Sequence, residues 1–115
     1  MTALTCSLVG QMHAVRLQPG TLAARLYGQA EALEDYYCNY GVNPEYRARL
    51  EGGGLRVSGV GGEDEIRIVE LPGHPFFVAT LYLPQTRSTA LAPHPVLAAW
   101  AAAAATAARA RAATR

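Results

Sequence analysis

The chain has 115 residues, 50% of them hydrophobic and 17% charged, with a formal net charge of +1. That length suits one domain, and the composition is too apolar for a disordered chain. Near-neutrality argues against a nucleic-acid binder, and the lack of any lysine removes Walker A loops, Schiff-base lysines and Ser-x-x-Lys nucleophiles.

His13 to Leu17 alternates and stops at Pro19-Gly20, which predicts a strand running into a turn. Thr21 to Tyr27 predicts a short helix, with Thr21 as its N-cap and Gly28 as its C-cap. The tyrosine-rich run Leu33 to Val42 predicts a strand. Asn43-Pro44-Glu45 opens a second helix, since asparagine caps and proline fits a first turn whose N–H has no partner anyway. Gly52-Gly53-Gly54 ends it. Leu55 to Val60 and Glu65 to Leu71 alternate on either side of Gly61-Gly62-Glu63-Asp64, the pattern of a β-hairpin. Phe76 to Leu83 is a continuous apolar run, short enough for a buried strand.

From Pro95 to about Ala113 alanine's propensity predicts a long helix, anchored at its start by Val96, Leu97 and Trp100. All nine acidic residues fall in 1–89, which sum to −2, while 90–115 hold three arginines and no acid. Those arginines suit the negative end of the helix dipole, so they need no nucleic acid to explain them. Strands mixed with helices make the class α/β.

Cys6 and Cys38 show no Cys-x-x-Cys or Cys/His metal spacing, so two reduced thiols in a cytoplasmic protein are expected. His13, His74 and His94 lack the spacing of a metal site, and no cofactor is expected. His74 and His94 each precede proline and read as turn-capping or surface residues. Met1 to Cys6 has no basic region ahead of a long apolar one, which argues against a signal peptide. Val96 to Ala113 falls short of a membrane span.

Several strings carry a family resemblance. They are Val15-Arg16-Leu17-Gln18-Pro19-Gly20, Leu26-Tyr27-Gly28, Tyr40-Gly41-Val42-Asn43, Leu55-Arg56-Val57-Ser58-Gly59, Glu70-Leu71-Pro72-Gly73-His74-Pro75-Phe76-Phe77-Val78-Ala79 and Pro93-His94-Pro95. Over about residues 12–100, in unbroken order, they resemble the carboxy-terminal half of the class I glutamine amidotransferase domain of CTP synthase. The chain looks closest to the stand-alone proteins related to that region, a family that includes selenoproteins. The resemblance implies a flavodoxin-like open α/β sheet, with the hairpin and a long Ala-rich C-terminal helix attached. Residues 1–115 then form one partial domain, with 101–115 as the helix end.

The family hydrolyses glutamine with a Cys-His-Glu triad, its nucleophile in a Gly-x-Cys-x-Gly turn. That turn is absent from this sequence. Cys6, between Thr5 and Ser7, reads as a small packed residue. The family's Phe-His-Pro-Glu string is here Tyr82-Leu83-Pro84-Gln85, which places Leu83 at the histidine and Gln85 at the glutamate. The family's arginine for the substrate carboxylate falls on Asn39, and a family histidine on Cys38. The resemblance therefore implies kinship with pyrimidine nucleotide biosynthesis but no glutaminase. Alternatives are a non-catalytic binding or interaction module, whose altered pocket around Tyr37, Asn39 and Gln85 takes glutamine or another small molecule, and a thiol activity at Cys38. A half-domain is also expected to leave an unpaired edge and an apolar face, covered by self-association or by a partner chain.

Overall fold

Alternation of inward apolar and outward polar side chains sets the strands. The computed structural model describes residues 1–4 and 7–114. Seven strands are present among them: β1 (Thr2–Ala3), β2 (Gln11–Leu17), β3 (Glu31–Tyr36), β4 (Tyr40–Gly41), β5 (Arg56–Val60), β6 (Ile66–Glu70) and β7 (Val78–Thr80). Three α-helices accompany them: α1 (Leu22–Tyr27), α2 (Arg47–Gly52) and α3 (Pro95–Ala113). Five strands pair in the order β3-β2-β5-β6-β7, and β1 pairs separately with β4. All these pairings are antiparallel, so the mixed α/β class is met with a curled antiparallel sheet.

The curl matters for the site. Strands β3 and β7 stand at opposite ends of the sheet order, yet the chain leaving β7 returns to β3. The Leu83 N–H donates to the Asp35 carbonyl at 2.9 Å, and the Cys38 thiol donates to the Leu81 carbonyl at 3.0 Å. The core inside this curl is Val15, Leu17, Ala23, Tyr36, Ile68 and Tyr82. A smaller cluster of Val57, Val60 and Ile66 lies with Val42, Leu50 and Val69 packed on it.

Helix α1 begins and ends as its sequence predicts. The Thr21 hydroxyl accepts from the Ala24 N–H, and Gly28 takes the left-handed conformation at φ +67. A third contributor is remote in sequence. The buried Glu70 carboxylate accepts from the Leu22 and Ala23 N–H groups at 2.9 and 3.1 Å, satisfying donors that a helix start leaves free. Asn43 caps a 3-10 turn over Pro44–Tyr46, which leads directly into α2.

Three sequence expectations need correction. The strand expected over Leu33 to Val42 is β3 followed by a break at 37–39, because the chain must turn there to reach β4. The run Phe76 to Leu83 is a strand only over Val78–Thr80, since beyond it the chain leaves the ladder and crosses to β3. Trp100 does not anchor α3: it is 59% exposed, whereas Val96 is buried. The positions that alanine fills beside it offer little mass to hold an indole. Among the described residues no helix is long and apolar enough to cross a membrane.

Candidate functional site

The curl brings the segment 37–39 and the Tyr82-Leu83-Pro84-Gln85 string to one end of the sheet. Leu83 is half-buried, its backbone tied to Asp35. Gln85 is exposed, in a 3-10 turn over Pro84–Arg87 whose Thr86 hydroxyl donates to the Asp35 carboxylate at 2.9 Å. Tyr37 is 62% exposed and Asn39 is exposed. Cys38 is half-buried, its S–H given to Leu81. Cys6 lies outside the described residues.

Two groups of buried polar side chains flank this end, and neither follows from sequence spacing. The first is centred on Glu34, 1% exposed, whose carboxylate meets the His94 Nε2 at 2.7 Å and accepts from the Tyr27 hydroxyl at 2.6 Å. The Tyr27 hydroxyl also lies 2.8 Å from that of Tyr82. The His94 Nδ1 accepts from the Val96 N–H at 3.1 Å and so caps α3. An accepting Nδ1 leaves the proton of a neutral imidazole on Nε2, aimed at Glu34. Both ring nitrogens are thereby spent on holding the fold. His94 is a cap, as the sequence suggests, but a buried one at 3% exposure, so the surface reading is corrected. The missed signal is alternation: Ala32, Glu34 and Tyr36 all fall on the inward face of β3.

Burial pushes the phenols of Tyr27, Tyr36 and Tyr82 well above their ordinary range. Around Tyr27, the neighbouring Tyr82 and Glu34 push further the same way. A folded-state pKa above the unfolded one makes ionisation favour unfolding. The fold is therefore stable below the unfolded tyrosine value of about 10 and loses stability as pH rises beyond it. Phenolate absorbance followed with circular dichroism should show these tyrosines ionising together with unfolding. Their independent titration near pH 10 in an intact fold would refute that.

The second group is centred on Arg67, on β6. Its side chain is 8% exposed, and its guanidinium lies 5.6 Å from the centre of the Tyr36 ring. Among the described residues its acceptors are the Glu65 carboxylate at 3.2 Å and the Ile66 carbonyl at 3.4 Å. A Cβ added to Gly41 would lie 3.8 Å from its Nη1, which places the cation against strand β4.

Comparison with known proteins places this architecture. A solved glutaminase domain of Trypanosoma brucei CTPS, with bound acivicin, superposes with a TM-score of 0.78 at 28% identity, over 86% of this chain and 40% of that one. The chain is 43% identical over 86 residues to the CTP synthase of Thermococcus kodakarensis, covering 73% of this chain and 16% of that protein. It is 43% identical over 89 residues to the CTP synthase of Flavobacterium psychrophilum, covering 76% and 17%. No family model matches the chain. The fold is that of part of a class I glutamine amidotransferase domain. Within that class the chain is of the CTP synthase type, and it spans about one sixth of the length of those curated relatives.

Proposed function

We propose that this CTP synthase-type amidotransferase domain does not hydrolyse glutamine by the family's triad and acts as a small-molecule-binding module. The observation that carries the reading is the pair Leu83 and Gln85 at the positions that the resemblance assigns to histidine and glutamate. Leucine cannot move a proton, and a neutral amide cannot stabilise an imidazolium as a carboxylate does. His94 cannot substitute, because both its nitrogens are engaged. The Cys38 thiol, half-buried and donating to Leu81, has the environment of a packed sulfur rather than a nucleophile.

Ammonia release from glutamine by the purified chain is the test. Release at the level of the uncatalysed control is expected. Turnover that is abolished by alkylating the thiols would overturn the reading. Binding is favoured by the exposure of Tyr37, Asn39 and Gln85, which leaves their side chains open to a small molecule.

A further inference from the structure

We propose that a second, separate cleft binds a soluble phosphomonoester by its phosphoryl group, a site independent of the binding reading above. The cleft, of about 300 Å³ and open to solvent, lies between α1 and the turn that joins β6 to β7. Arg25, Arg56, Glu70 and His74 line it. Strand β7 starts just after this turn and ends just before the Tyr82-Leu83-Pro84-Gln85 string, so the cleft and that string lie at its opposite ends. The two cations of the cleft differ from their counterparts elsewhere in 1–94. There Arg16, Arg47, Arg67 and Arg87 face carboxylates, and Arg49 lies over the Tyr46 ring. Among the described residues Arg25 and Arg56 have no ion pair, no side-chain hydrogen bond and no aromatic partner, and both border this one cleft.

His74 adds a third donor. Its Nδ1 accepts from the Phe76 N–H at 3.1 Å, which puts the proton of a neutral imidazole on Nε2. A T-shaped contact with the Phe77 ring, at 5.9 Å between centroids, steadies it. Glu70 is the one side-chain acceptor in the lining, and both its oxygens already receive N–H groups of α1. The cleft thus presents donors on three side chains and no carboxylate oxygen without a partner. That arrangement suits a ligand that only accepts. A phosphoryl group carries nearly two negative charges and three acceptor oxygens, and the planar fork of arginine meets it in bidentate geometry. Its charge also offsets the repulsion between two cations that share a cleft. A carboxylate would bring one charge and two oxygens to the same three donors. The volume is at the small end for a ligand cleft, which fits a phosphoryl group with a short body behind it.

NMR titration of the full chain with glycerol 3-phosphate, inorganic phosphate and acetate tests this. The two phosphates should shift the His74 ring signals and the Nε–H signals of Arg25 and Arg56, and acetate should bind at least about tenfold more weakly. Arg25→Gln and Arg56→Gln, both at exposed positions, should each weaken glycerol 3-phosphate binding by at least about fivefold. Arg49→Gln, exposed and outside the cleft, should leave it unchanged. An equal loss in Arg49→Gln would reduce the effect to diffuse charge and overturn the site. So would acetate binding as tightly as phosphate, or no shift with either phosphate up to about 10 mM. Phosphatidylcholine vesicles containing phosphatidic acid present the same group on a lipid. Capture of the chain by those vesicles, with no affinity for glycerol 3-phosphate, would overturn a soluble ligand.

Discussion

Replacing His94 with alanine is expected to destabilise the fold by about 3 kcal/mol, because stripping a donor from a buried carboxylate costs about 1–3 kcal/mol or more and further losses add to it. Three losses combine. Glu34 keeps its Tyr27 partner but loses the Nε2–H at 2.7 Å. Helix α3 loses the acceptor for its Val96 N–H, worth about 1 kcal/mol. The T-shaped contact with the Tyr27 ring, at 5.5 Å between centroids, goes as well. Two further variants separate these losses. His94→Asn keeps a side chain able to cap but too short for Glu34, and should recover about 1 kcal/mol. Glu34→Gln presents an amide N–H to a site built around donors, and should cost about 1–3 kcal/mol. Urea denaturation checks all three. A loss below about 1 kcal/mol in His94→Ala would show that water replaces the imidazole at no penalty.

This network explains why part of the candidate site was legible in sequence and part was not. Local chemistry was readable: the Thr21 and Asn43 caps, the left-handed Gly28, the hairpin around 61–64 and the helix from Pro95 all involve neighbours in the chain. The resemblance placed Leu83 and Gln85, because it works position by position. Contacts made by curling were not readable. Glu34 and His94 are 60 residues apart, and Glu70 reaches α1 across 47 and 48 residues. Nothing in either neighbourhood announces a partner. Each does sit on an inward face of an alternating strand, however, and a carboxylate there requires donors from elsewhere. Arg67 was hidden for the same reason: Ile66 and Ile68 flank it on β6, and the Tyr36 ring it lies against is 31 residues away.

The exposed Trp100 has a different cause. Helix propensity was strong enough to define α3 but says nothing about what the helix packs against. Val96 is buried and Leu97 half-buried, while nearly every side chain beyond Trp100 is exposed. The helix is therefore held at its first turn, by Val96 and by the His94 cap. His94 thus joins the stability of the curled sheet to the placement of α3, and its removal should loosen both together.

Gly59→Ala should produce the second large loss, about 2–3 kcal/mol, from a single added methyl group. Gly59 lies in β5 where the register with β6 is irregular, between the Val57–Val69 and Val60–Ile66 pairs. A Cβ there would sit 2.6 Å from both Cγ1 and Cδ1 of Ile68 and 2.9 Å from Cγ1 of Val15. Both neighbours are fully buried in the main core, so neither can swing into solvent. The glycine is needed for space, since its backbone is not among those with positive φ. A double-mutant cycle isolates the clash. Ile68→Ala alone removes a buried side chain and should cost about 2–5 kcal/mol, yet it also clears both atoms nearest the new methyl. The Gly59→Ala, Ile68→Ala double variant should therefore be less destabilised than the two losses combined, by at least about 1 kcal/mol. Strict additivity would mean that the methyl is accommodated by a shift of β5 itself, and that the close packing of β5 on Ile68 does not determine the irregular register.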